Sequence, residues 1–198
     1  MKRRRMDDSG QVDSVVLSPP SADNWHASFT HTTKILMPTL VTINLKDGQT
    51  INFIPVMLGN GASRDVLGGM LQNTTTQSPW IVKIQAWRWH ETSNGHEYRL
   101  GTGALECFTP KMLGCVKCVY QTWKKSVDLS VLVVARVPRT MEVVLSALMK
   151  EPADVSGVSL LLGMVHSLFD IIREACGHRM MKLTDLKTDN IGVDEANR

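Results

Sequence analysis

From Leu40 onward, apolar and polar residues alternate. Val41, Ile43 and Leu45 are separated by Thr42 and Asn44, the period of two that marks a half-buried strand. Asp47-Gly48 follows, and then Ile51 and Phe53 alternate with Thr50 and Asn52. Two such runs joined by a pair able to adopt positive φ predict a hairpin. Trp80, Val82, Ile84 and Ala86 share one face of a further strand that carries Lys83 on the other. His96 to Leu105 is read as a short helix weakened by Gly101 and Gly103, and Met112 to Tyr120 as a strand. The β-branched run Leu129 to Val137 predicts a buried strand that Pro138 ends. Helical spacing then takes over. Met141, Val144, Leu145 and Leu148 form one stripe, and Leu161, Met164, Val165, Leu168 and Ile172 a longer one. Asp154 is the expected N-cap and Gly177 the expected C-cap of the second helix. Strands followed by helices predict an α+β architecture.

Residues 1–35 show neither period. They are rich in Ser, Thr, Asp and Pro, with a Pro19-Pro20 break, and read as a flexible tail. The basic cluster Lys2 to Arg5 reads as a solvated terminus rather than a nuclear-import signal.

Composition narrows the class. Of 198 residues, 43% are hydrophobic and 21% charged, a globular balance rather than a disordered one. The net charge of +3, from 22 basic and 19 acidic side chains, points to neither nucleic acid nor membrane. No uninterrupted apolar run, Leu160-Leu161-Leu162 included, approaches bilayer length, so no bilayer span is expected. Asp7 and Asp8 follow the basic start where a secretory signal has an apolar core, which places the chain in the cytoplasm or nucleus. The 4 cysteines make no disulfide framework. Cys115 and Cys118 have metal or redox spacing but no second pair, and read as strand cysteines; Cys107 and Cys176 read as small apolar residues. His166 lies within a helix stripe and reads as a packed or partly exposed residue rather than a ligand. Trp80, Trp87 and Trp89 lack a basic stripe beside them and read as packing residues, not base-stacking ones.

The chemistry-bearing stretch is Thr184-Asp185-Leu186-Lys187-Thr188-Asp189-Asn190, just after an amphipathic helix. In phosphoryl transfer an Asp can orient the attacking hydroxyl, a Lys neutralise the transferring group and an Asn hold a metal ion. Upstream, Val56-Met57-Leu58 runs into Gly59-Asn60-Gly61-Ala62-Ser63-Arg64-Asp65-Val66, where two glycines permit close approach of backbone N–H groups to a ligand.

In this order the motifs resemble those of the eukaryotic protein kinase family. Asp185 to Asn190 resembles its D-L-K-P-E-N catalytic loop, Trp80-Ile-Val-Lys83 its V-A-I-K strand, and Gly59 to Val66 its glycine-rich loop. The resemblance covers about 40–194 and implies a protein-kinase-like fold: a complete β-rich small lobe over 36–138 and a partial large lobe over 139–198. It implies ATP and Mg2+ as cofactors, Asp185 as catalytic base, Lys187 as phosphate partner and Asn190 as magnesium ligand. Gly59, Gly61 and Val66 would cover the nucleotide. Lys83 would contact its phosphates, held by Glu97, with Glu106 the second choice for that role. Backbone groups from Ala135 to Val137 would meet adenine.

The departures are equally specific. Arg64 stands where the third glycine belongs, Leu183-Thr184 replaces H-R, and Thr188 replaces proline. Arg198 is reached before a D-F-G motif, so the resemblance implies a truncated chain that transfers phosphate at background. The expected function is ATP-dependent phosphoryl transfer to a protein hydroxyl, of Ser/Thr type. Its rival is a catalytically dead interaction module acting on a partner kinase. The helix stripe from Leu161 to Ile172, which later helices of the family would cover, implies self-association.

Overall fold

The computed structural model describes residues 11–23, 27–60, 63–87, 92–103, 106, 109–150, 154–178 and 191–193, without the side chains of 175 and 178. The chain divides into two compact units, Met1–Arg136 and Val137–Arg198.

In the first unit the strands are β1 (Val12–Ser18), β2 (Leu40–Leu45), β3 (Thr50–Asn60), β4 (Asp65–Leu71), β5 (Trp80–Ala86), β6 (Met112–Gln121) and β7 (Ser126–Ala135), with one helix, α1 (Ser93–Gly101). They form one seven-stranded sheet in the order β1-β2-β3-β4-β5-β7-β6, antiparallel at every pairing. The β2–β3 hairpin is the expected one, and Gly48 takes a φ of 86° at its turn. The terminal strands of that order, β1 and β6, lie against each other. The Gln11 amide donates to the Leu113 carbonyl at 2.7 Å. The sheet is thus nearly closed, like a barrel, and its two edges shield one another.

One face of every strand enters a single core. Val12, Val41, Ile43, Phe53, Leu67, Val82, Ile84, Leu129, Val131 and Tyr120 are all at 0% exposure. Burial pushes the Tyr120 phenol up to about 12, and its hydroxyl donates to the Leu36 carbonyl at 2.8 Å. Tyr120→Phe leaves that buried carbonyl unpaired and is expected to cost about 1 kcal/mol of stability, read by urea denaturation. An unchanged midpoint would mean that water replaces the phenol.

Two expectations are corrected here. The kinase-like fold is the first. A kinase small lobe is a five-stranded sheet with a helix, whereas this sheet has seven strands and curls until its first strand meets β6. The physical cause is β1. Val12, Val15 and Leu17 are buried, so the strand completes the core rather than trailing from it. The flexible tail over 1–35 is the second: 12–18 is strand, and Ile35 is core. A bulge between Val12 and Ser14 breaks the alternation that would have announced the strand.

In the second unit, β8 (Arg139–Thr140) pairs with β9 (Gly192–Val193), beside α2 (Met141–Leu148) and α3 (Val155–Ile172). The Thr140 and Asp154 side chains accept from the Val143 and Gly157 amides as N-caps. Gly177 does not cap α3; the helix passes at Arg173 into a π-helical turn, Arg173–His178. A small core joins Met141, Val144 and Val193 with Leu145, Leu148, Leu160, Met164 and Ile191. No residue of α3 is fully buried, and Leu162 and Phe169 are 64% and 67% exposed. By length and composition α3 could cross a membrane. No long unbroken apolar run marks it in the sequence, because Gly163, His166, Ser167 and Asp170 interrupt the stretch and only Asp170 of these carries a full charge.

Candidate functional site

Cross-strand register assembles the site. Gly59 pairs with Val66, Val66 with Lys83, Lys83 with Leu132, and Leu132 with Cys115. Direct partners in antiparallel strands project from the same face, so these five residues form one row across the sheet, on the face opposite the core. Gly59, Val66 and Lys83, separated along the chain, are therefore neighbours in space.

Helix α1 packs on this face. Thr92 caps it, its hydroxyl accepting from the Gly95 amide at 3.1 Å. Asn94, at 0% exposure, fastens the first turn: its Nδ2 donates to the Lys83 carbonyl at 2.8 Å and to the Ser130 carbonyl at 2.9 Å. Its Oδ1 has no hydrogen-bond partner. One turn further on, Glu97 faces the row.

The Glu97 carboxylate receives two cations. Lys83 Nζ reaches Oε1 at 2.6 Å, and the Arg64 guanidinium, from the β3–β4 connection, is bonded to Oε2. The three side chains are between 20% and 29% exposed, which places them at the boundary of solvent. Burial pushes the Glu97 carboxyl up, but the charges of Lys83 and Arg64 outweigh it and hold the group below its ordinary value. Two cations on one anion leave a net positive charge beside Gly59, whose Cα faces open space.

An apolar surface continues from the charged cluster. The side chains of Leu58 and Ile81 converge over Gly68, where a Cβ would lie 2.6 Å from Leu58 Cδ1 and 3.0 Å from Ile81 Cγ2. With Val66 they make a partly exposed platform next to Lys83. A cleft of about 490 Å3 is lined by Glu97 together with Arg64, Ser93, His96, Leu100 and Thr109.

The remaining expected residues fare differently. Glu106 is exposed, and Glu97 alone of the two glutamates meets Lys83. Ala135 ends β7, but its amide donates to the Lys111 carbonyl and the Arg136 amide to the Pro79 carbonyl, both at 2.7 Å. Those two donors are engaged within the first unit and are not available to a base. Val137, in the second unit, packs its side chain over Gly192. Gly61, Asp185, Lys187 and Asn190 lie outside the described residues, as do Lys2 to Arg5, Trp89 and Cys107. Among the described residues, no group of three His, Cys, Asp or Glu side chains is arranged to hold a metal ion.

Cys115 and Cys118 point to opposite faces of β6, since Cys118 is in the core and Cys115 is in the Lys83 row. Burial raises both thiols, and the Glu97 charge raises Cys115 further, so neither is poised as a nucleophile. His166 is exposed and lies 3.3 Å from Asp170 on the same helix. Trp87 is stacked under Lys117, whose Nζ is 5.5 Å from the ring.

Four participants are not evident from the sequence as parts of the site. Leu58 and Ile81 were visible as apolar residues flanking the glycines and the lysine, but not as a joint surface. Asn94 carried no signal. Arg64 was noticed as an interruption of the glycine pattern, and its pairing with Glu97 was not foreseen. Among known proteins, no family model matches the chain and no curated protein is significantly similar to it.

Proposed function

We propose that the chain binds ATP on the Lys83 face of the first unit and serves phosphoryl transfer to a protein hydroxyl. The observation that carries this reading is the Lys83–Glu97 pair, 2.6 Å apart, with the apolar platform of Leu58, Val66 and Ile81 beside it. The fit to a nucleotide triphosphate is chemical. A flat base suits an apolar platform, and a polyphosphate suits the adjacent surplus of positive charge.

Within this reading Lys83 holds a phosphate oxygen, and Glu97 fixes the lysine's direction so that its charge is in place before the ligand arrives. Asn94 seats α1 and thereby Glu97. ATP, when bound, supplies the phosphoryl group. The transfer roles of Asp185 as base, Lys187 as charge partner and Asn190 as magnesium ligand rest on the likeness of that loop to the kinase catalytic loop.

The test is a calorimetric titration of ATP into the wild-type chain and into Lys83→Met, with circular dichroism to confirm that both are folded. Lys83→Met is expected to weaken binding at least about tenfold, the loss of one charge-assisted contact. A folded wild-type chain that gives no response to ATP would remove the proposal.

A second reading, a module that binds a partner kinase or a second copy and does no chemistry, is favoured by the exposed apolar stripe of α3. Labelled-phosphate transfer to a protein substrate separates the two. Transfer by a chain extended through a D-F-G motif, abolished there by Asp185→Asn, supports the first, and ATP binding without transfer in both the short and the extended chain supports the second.

A further inference from the structure

We infer that Arg64 is a second phosphate-binding cation, which lets the site hold a nucleotide triphosphate without a divalent ion. The inference rests on the ATP-binding reading above and goes beyond it in naming a residue and the form of the ligand. Arg64 stands in the β3–β4 connection, next to Asp65 at the start of β4 and two residues before Val66 of the Lys83 row. Its guanidinium meets Glu97 on the oxygen that Lys83 leaves open. Only Nη1 is used in that contact, and a guanidinium carries five N–H donors in a planar fork suited to phosphate oxygens. Lys83 likewise has ammonium protons beyond the one directed at Glu97.

The charge count is what distinguishes this site. A triphosphate needs its negative charge met at several oxygens, and a single lysine leaves most of that task to a metal ion. Here a fixed second cation stands beside the lysine, and among the described residues Glu97 is the only carboxylate paired to either. The neighbouring carboxylate does not offset it. Asp65 is turned to the core face and is engaged by the Thr32 and Thr33 amides at 2.8 and 2.7 Å. The surplus positive charge therefore stays on the Lys83 face, where a phosphate chain can take donors from two side chains.

The experiment titrates ATP into the full chain by calorimetry, once with EDTA and once with magnesium, for wild type, Arg64→Gly and Arg64→Gln. The wild-type chain is expected to bind in EDTA within about threefold of its affinity with magnesium. Both variants are expected to bind at least about tenfold more weakly than wild type in EDTA, and to recover most of the loss when magnesium is added. Thermal melts monitored by circular dichroism show whether the variants are folded. If neither is, the wild-type ratio between EDTA and magnesium decides alone. Wild-type binding that requires magnesium, or variants that match wild type in EDTA, would overturn the role of Arg64 and leave the ATP site standing. No ATP binding in either buffer would remove the site itself.

Discussion

Gly69→Ala is expected to cost the chain at least about 3 kcal/mol or to prevent folding, because the added methyl collides with backbone rather than with a side chain that can move. Gly69 sits on β4 opposite Pro55, and a Cβ there would run into the Ile54 carbonyl oxygen and come within 2.8 Å of its carbon. The two strands are held at that spacing by their ladder, so relief requires the β3–β4 pair to part. Two other glycines calibrate the claim. Gly48 has open space around it but a φ of 86°, so Gly48→Ala is expected to cost only about 1 kcal/mol. Gly59 has neither restriction, and Gly59→Ala is expected to leave stability unchanged. Urea denaturation of the three variants should therefore rank them by crowding and backbone angle. If Gly69→Ala unfolds at the same midpoint as Gly59→Ala, the close approach of β3 and β4 is refuted.

Asp65→Ala is expected to cost about 3 kcal/mol at neutral pH, the price of leaving a cluster of donors without its acceptor. Asp65 is at 0% exposure. Its carboxylate accepts from the Thr32 amide at 2.8 Å, the Thr33 amide at 2.7 Å and the Thr33 hydroxyl at 2.8 Å, which ties the segment before Ile35 to the start of β4. Burial pushes the carboxyl up, but those hydrogen bonds outweigh it and hold it below the ordinary 3.8. The sign of the pH effect follows. A carboxyl whose folded value lies below its unfolded one stabilises fully above the unfolded value, and that contribution disappears as pH falls through the folded value. Glu97, held below 4.5 by Lys83 and Arg64, has the same sign. Wild-type stability should therefore decline as pH drops below the mid-4 range, while Asp65→Ala, already deprived of one contribution, should decline less. Denaturation at about pH 7 and about pH 3 gives the comparison. Equal losses in the two proteins would mean that Asp65 does not carry the acid sensitivity.

Elements whose burial repeats locally could be read directly. The β2–β3 hairpin followed from alternation around Asp47-Gly48, β5 from Trp80 to Ala86, and α3 from its stripe and Asp154. Strand β4 was hidden because Gly68 and Gly69 look like loop residues, although both are glycine for lack of room in a sheet. Strand β1 was hidden by its bulge and by the polar residues around it. Its pairing with β2 and its contact with β6 are long-range facts that no window of sequence contains. The kinase-like fold failed for that reason. Motif order constrains the strands that carry the motifs and is silent on strands added before them. The site was legible in a different way. Lys83 and Glu97 were paired through a resemblance, whereas the Arg64 contact depends on a hairpin placing its tip beside a helix, which residue types alone do not state.

The contact between β1 and β6 also sets an order of events. Gln11 bonds to Leu113, so β1 cannot complete its surroundings until β6, near the end of the first unit, has been made. Until then β1 is flanked on one side alone, by its pairing with β2. Joining residues so distant along the chain carries a loop-closure cost that hairpins such as β2–β3 avoid. The hairpins are therefore the early events of folding and the seam between first and sixth strands the late one. During synthesis the unfinished sheet presents two open edges, and closing the seam removes both at once.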